Sequence, residues 1–275
     1  MTPLRSIDLN ADVGEATDEA GRDVERELLG LVTTAYIACG GHAGDEASMA
    51  ATVADALERS VRLGAHPSYP DRDGFGRRPV DIDRTALAAS LTDQLRALDA
   101  VARAAGARVE SVKPHGALYE EVAKGGAIYE TLRDVVRATC AAGTTLVLPS
   151  GCRAMAMVLR DGVEAMEEGF CDRAYRPDGG LVERGEAGAV LHDPDEAAAQ
   201  SRSLARGAVA ALDGSVLTLW VDTLCIHGAS PGAVAIATAV RAALADQDID
   251  VAAPARARPA RFPSGSCATS VTALC

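Results

Sequence analysis

The chain has 275 residues, a formal net charge of −12, 48% hydrophobic residues and only 3% aromatics. Such an acidic balance argues against nucleic acid and anionic membrane surfaces, which demand a basic face, and no apolar run is long enough to cross a bilayer. With so few aromatics, a core of this size must be built from Ala, Val, Leu and Ile, which suits helices packed over a mostly parallel sheet.

Residues 6–10 read as a strand, with Asp8, Asn10 and Asp12 alternating with Ile7, Leu9 and Ala11. Period two puts the three polar side chains on one face, a set suited to a cation or a polar substrate. Glu15 adds a carboxylate where the chain leaves the strand. A helix over 23–31 and a strand over 33–39 follow. That strand runs into Ile37-Ala38-Cys39-Gly40-Gly41-His42-Ala43-Gly44-Asp45, where two glycines free the backbone and Asp45 caps a helix reaching residue 60. The next strand ends at His66, before a turn-rich loop over 69–78 whose Arg77 and Arg78 offer forked donors to a carboxylate or phosphate.

Asp83 caps a long helix with Leu87, Leu91, Leu95, Leu98 and Ala102 at core spacing. A third strand, over 109–114, ends at His115 and carries Lys113, with Tyr119 just beyond; Pro114 cannot donate to a ladder, so pairing stops there. A helix over 127–141, a strand over 144–149, a short helix over 152–160 and a weaker strand over 162–166 come next. Residues 176–188 read as a long loop, Asp193-Pro194 opens a helix, and His192 beside it is solvated or structural. A strand over 216–226 ends in His227, and Pro231 opens a helix to about residue 244.

This gives about seven strands, most separated by helices, hence an α/β fold with a parallel sheet or barrel. Four of the five histidines (His42, His66, His115 and His227) fall at carboxyl ends of strands, which share one face in such folds. The expectation is a single cavity holding all four, floored by Asp8, Asn10 and Asp12. One domain spans 1–250, and 251–275, rich in Pro, Ala, Arg and Ser, is an expected flexible extension. The seven cysteines form no CxxC pair and the first twelve residues lack the shape of an export signal, so the expected setting is a reducing cytoplasm. Neither GxxxxGK[ST] nor GxGxxG after a strand occurs.

Six segments together resemble the LamB/YcsF family: IDLNADVGE (7–15), IACGGHAGD (37–45), GAHPSYPDRDGFGRR (64–78), KPHGALY (113–119), FCDRAY (170–175) and CIHG (225–228). The resemblance covers residues 5–245. It implies a seven-stranded β/α barrel similar to those of glycoside hydrolases and polysaccharide deacetylases. It also implies ATP-dependent opening of the small lactam 5-oxoproline to glutamate, in a complex with the B and C subunits of a bacterial 5-oxoprolinase, and leaves room for a homo-oligomer.

On that reading Asp12 or Glu15 is the general base, and His42, His66 and His115 polarise the carbonyl or coordinate a divalent ion. Asp12, His42 and His66 are the candidate metal ligands, chemically suited to a first-row divalent metal. Asp8, Asn10, Arg77, Lys113, Tyr119, Asp172, Arg173 and His227 are candidates for holding substrate or phosphate. ATP is used by the complex. The chain departs from the family's pattern at Tyr36, Gly41 and Ala229, which stand where the family usually has Asn, a bulky residue and Asp. Without that Asp, His227 is expected to lack an orienting partner. Two other classes fit the residues: a stand-alone metal-dependent deacetylase or amidohydrolase, and a non-catalytic scaffold subunit.

Overall fold

Alternation along the first strand sets the architecture. In β1 (Arg5–Val13), Ile7, Leu9, Ala11 and Val13 join the main hydrophobic core, while Asp8, Asn10 and Asp12 turn to the opposite face and are buried as well. A strand buried on both faces belongs inside a parallel sheet covered by helices. The structure, a computed structural model, describes residues 5–228, 230 and 232–253.

After β1 come α1 (Glu19–Leu29), β2 (Thr34–Ala38), α2 (Glu46–Glu58), β3 (Arg62–His66) and α3 (Arg84–Ala104). Then follow β4 (Ser111–Val112), α4 (Gly116–Ala123), α5 (Ala127–Thr139), β5 (Thr145–Pro149), α6 (Ala154–Asp161) and β6 (Ala165–Phe170). The described chain closes with α7 (Pro194–Ala205), β7 (Ala208–Ala210), β8 (Val216–Thr218), β9 (Thr223–His227), α8 (Ala233–Ala245) and β10 (Ile249–Val251). Strands pair in parallel in the order β1-β2-β3-β4-β5-β6-β9, and β9 returns to β1, closing a seven-stranded barrel.

Asp18, Asp45, Asp83 and Asp193 cap α1, α2, α3 and α7 through their side chains, as short acidic residues do for free backbone N–H groups. The α3 stripe Leu87, Leu91, Leu95, Leu98 and Ala102 is buried, each leucine contributing about 1.5–3 kcal/mol of burial. Inside the barrel the apolar content is small. Tyr36, Val147 and Met166 form their own cluster, and charged and polar side chains occupy much of the remaining interior.

The expected strand over 216–226 is two elements. β8 folds back antiparallel on β7, and the chain rejoins the barrel at Asp222, whose N–H donates to Glu167 O at 2.8 Å and whose carbonyl accepts from Asp8 N at 3.1 Å, just ahead of β9. β4 is shorter than expected, and α4 begins directly after His115. β10 pairs with the start of β1, so the sheet continues to Val251. The expected extension from residue 254 onward lies outside the described residues. Among the described residues no helix is long and apolar enough to cross a membrane, and the five described cysteines are free.

Candidate active site

Because every barrel strand runs the same way, the carboxyl ends of β1, β2, β3, β4, β6 and β9 meet at one rim. The loop after β2 delivers His42. Gly40 N donates to Ala43 O at 2.8 Å, and Arg72 Nη1 donates to Gly44 O at 2.8 Å and Gly40 O at 3.2 Å. Gly44 has φ +82, and a Cβ there would strike the Ala38 carbonyl, so glycine is what lets this loop close.

Glu15, His42, His66 and His115 converge, with one ligating atom from each lying within 4.8 Å of all the others. Glu15 Oε1 lies 2.8 Å from His42 Nε2, 3.5 Å from His115 Nδ1 and 4.0 Å from His66 Nε2. The His42 and His115 rings stack with centroids 3.7 Å apart, and Phe75 packs edge-on against both. Backbone carbonyls fix two tautomers: His66 Nδ1–H donates to Lys113 O at 2.7 Å, and His115 Nε2–H donates to Phe75 O at 2.9 Å. Phe75 adopts φ +52 to present that carbonyl, an uncommon conformation for a bulky residue.

The remaining nitrogens, His66 Nε2 and His115 Nδ1, therefore face each other at 3.1 Å. Such a pair repels unless a proton or a cation lies between. Burial, reinforced by the neighbouring His66, pushes His115 down to about 2 and His42 down to about 3, which keeps these two rings neutral. Imidazoles with one carboxylate are the donor set of a first-row divalent ion.

Below the rim, Lys113 Nζ sits 2.6 Å from Asp12 Oδ1, 2.8 Å from Asn10 Oδ1 and 3.2 Å from Glu168 Oε1. Burial opposes its charge, but Asp12 leads the neighbours that outweigh burial and hold the ammonium well above its usual range. Burial likewise pushes Asp12 up, while His66 and Lys113 overcome it and hold that carboxyl well below the ordinary range. Asp12 Oδ2 also lies 3.4 Å from His66 Nε2, joining this buried network to the histidine cluster. On the other side of the mouth, His227 Nδ1–H donates to Asp172 Oδ1 at 2.8 Å, and its ring stacks on Phe170. Its position groups it with Asp12 and Cys225.

The structure brings all four expected histidines to the same rim. Three converge, and His227 stands apart, linked to them through Asp12. The expected metal trio of Asp12, His42 and His66 also changes: Glu15 and His115 complete the tight cluster, because Asp12 is turned toward Lys113. His227 does not lack an orienting partner. Asp172 supplies it, while Ala229 lies outside the described residues.

Several expected ligand-binding residues are engaged internally. Asp8 accepts from the hydroxyls of Thr33, Thr34 and Thr223, and burial pushes its carboxyl up. Asn10 Nδ2 donates to Glu168 and Thr223, and Tyr119 donates to Glu168 Oε2 at 2.5 Å. Arg173 donates to the carbonyls of Val182 and Ala189, tying down the loop after β6. Arg77 lies over the Phe75 ring at 4.9 Å, beside the cluster.

Glu168 is a buried carboxylate outside the set expected from the sequence. Its signal there is the period-two spacing of Met166, Glu168 and Phe170.

A model of the LamB/YcsF family matches residues 7–259. A protein from Methylococcus capsulatus, described as the A subunit of 5-oxoprolinase, is 47% identical over 250 residues, covering 90% of this chain and 96% of its own length. The protein of the same description from Paracidovorax citrulli is 45% identical, covering 88% of this chain and 97% of its own length. The crystal structure of a lactam utilization protein from Thermus thermophilus superposes with a TM-score of 0.82 at 36% identity, covering 90% of this chain and 99% of that one. These matches run over the strands that carry the histidine cluster, and the chain belongs to the LamB/YcsF family.

Proposed function

We propose that this chain is the A subunit of a 5-oxoprolinase, which opens 5-oxoproline to glutamate at the barrel rim, with B and C subunits supplying the ATP-dependent step in a cytoplasmic complex. The observation that carries the reading is the convergence of Glu15, His42, His66 and His115 above the Asp12–Lys113 pair, in a chain whose relatives are described as A subunits of 5-oxoprolinase.

A five-membered lactam is a stable amide, so its carbonyl must be activated. Phosphoryl transfer from ATP to the lactam oxygen makes that oxygen a leaving group, and one water then attacks the ring carbon. The C–N bond breaks as nitrogen takes a proton, and a second water releases phosphate. Glu15 is suited to accept the proton of the attacking water, because its carboxylate faces the imidazoles at the open rim. Asp12, held anionic by Lys113, is suited to electrostatic support rather than proton transfer. His227, with Nδ1–H committed to Asp172, presents the Nε2 lone pair, suited to take the proton of the second water, while the proton accepted by Glu15 passes to the ring nitrogen. Arg77, whose guanidinium lies over the Phe75 ring, is suited to hold the substrate carboxylate.

The facing nitrogens of His66 and His115, with His42 beside them, would hold a divalent metal next to Glu15. When bound, such an ion supplies Lewis-acid polarisation of the carbonyl. The test is glutamate release from 5-oxoproline by the purified chain alone and with its partner subunits, with and without ATP. Release is expected only from the assembled complex with ATP, since the chain has no recognisable nucleotide loop. Robust ATP-dependent turnover by the chain alone contradicts this division of labour.

A further inference from the structure

Glu15 lies in the five residues, 14–18, between β1 and α1 that have no regular structure of their own, yet its carboxylate reaches three imidazoles. Something must hold that turn. Helix α1 carries two leucines, Leu28 and Leu29, facing the core, and Glu25 precedes them at helical spacing on the same buried face. A carboxylate on such a stripe is costly unless its oxygens are satisfied. Glu25 Oε1 accepts the backbone N–H of Glu15 at 2.9 Å and of Ala16 at 3.0 Å, and the Gly14 N–H is also directed at this carboxyl group. One buried acceptor therefore gathers successive N–H groups of the β1 exit turn.

We infer that Glu25 is a positioning residue that fixes the Gly14–Glu15–Ala16 turn and thereby aims the Glu15 carboxylate at His42, His66 and His115. The consequence for turnover rests on the role given to Glu15 above; the positioning itself does not. A charged acceptor holding two or more N–H groups leaves the turn little freedom. Without it, those N–H groups would be buried and unpaired, and the turn would shift to find water or another acceptor. A contact of this kind, one step removed from the reacting groups, typically changes affinity or activity by about 10–100-fold.

The experiment uses the full chain labelled with 15N-histidine, read by the ring resonances of His42. In Glu25→Met, which preserves length but offers no oxygen, the His42 signals are expected to move toward those of Glu15→Ala. Glutamate release by the assembled complex is expected to fall about 10–100-fold. Glu25→Gln keeps an acceptor oxygen and is expected to restore both toward wild type.

Unmoved His42 signals in a folded Glu25→Met chain overturn the inference. Displaced signals with full turnover support the positioning and refute instead the catalytic role of Glu15. Should Glu25→Met not fold, the wild-type chain decides: slow amide exchange at Glu15 and Ala16 is expected, and exchange of both at solvent rates overturns the inference.

Discussion

Replacing Lys113 by Met keeps the side chain's bulk in the barrel and removes its charge. The lysine is 2% exposed, and its ammonium lies 2.6 Å from Asp12 Oδ1 and 3.2 Å from Glu168 Oε1. At 2.6 Å and an effective dielectric of about 20, opposite unit charges attract by about 6 kcal/mol. Desolvation of both groups offsets part of that gain, so the net worth of the pair is smaller than the Coulomb figure. Removing the cation alone strands two carboxyl groups in the interior. The expected loss is about 3–5 kcal/mol, a large share of the roughly 5–15 kcal/mol that folds a domain.

Urea unfolding followed by circular dichroism measures this, with the slope unchanged so that only the midpoint moves. Asp12→Asn alone is also expected to destabilise, and the double variant should lose about 0.5–3 kcal/mol less than the sum, as coupled neighbours do. A loss below about 1 kcal/mol for Lys113→Met, the range of exposed ion pairs, would refute the reasoning that the pair is a buried structural element.

A Cβ at Gly41 would run into Ser68 Oγ and Gln94 Oε1, and the Gln94 amide is held by reciprocal bonds of 2.9 Å to the Ser68 backbone. Gly41→Val is therefore expected to cost about 1–3 kcal/mol in thermal unfolding and to displace His42; an unchanged Tm contradicts this. Burial pushes Asp172 up, but His227 outweighs it and the carboxyl sits below its usual range. Its stabilising contribution is then present above the unfolded value of about 3.9 and is lost as pH falls through the lower folded value. The stability gap between wild type and Asp172→Asn should be steady near neutrality and narrow in acid, and a gap that widens on acidification contradicts the pairing.

Much of the rim was legible because its residues follow a local grammar. An apolar run ending in His before Gly or Pro marks the end of a buried strand, and parallel strands place such ends together. Asp8, Asn10 and Asp12 were readable as one face by period two alone. How far each reaches toward the rim was not, because that depends on partners contributed by other strands. Asp172 lies 55 residues from His227, so nothing near His227 in the chain points to it. Glu168 sits beside Glu167 in one short strand, and either could have faced inward. Glu25 is one of several acids in that helix, and only Leu28 and Leu29 at core spacing mark it as inward-facing. The break between β8 and β9, over residues 219–222, falls inside a run whose periodicity gives no sign of it.

Turnover of 5-oxoproline by a complex assembled around Glu15→Gln tests most directly whether this rim is the reacting centre or the chain is a scaffold. Glutamine preserves the side chain's shape, so assembly with the partner subunits should be intact while proton transfer at this position is lost. The predicted result is a complex that co-purifies normally and releases glutamate at least about 100-fold more slowly. Wild-type kcat from that complex would contradict the assignment and place the chemistry in another subunit.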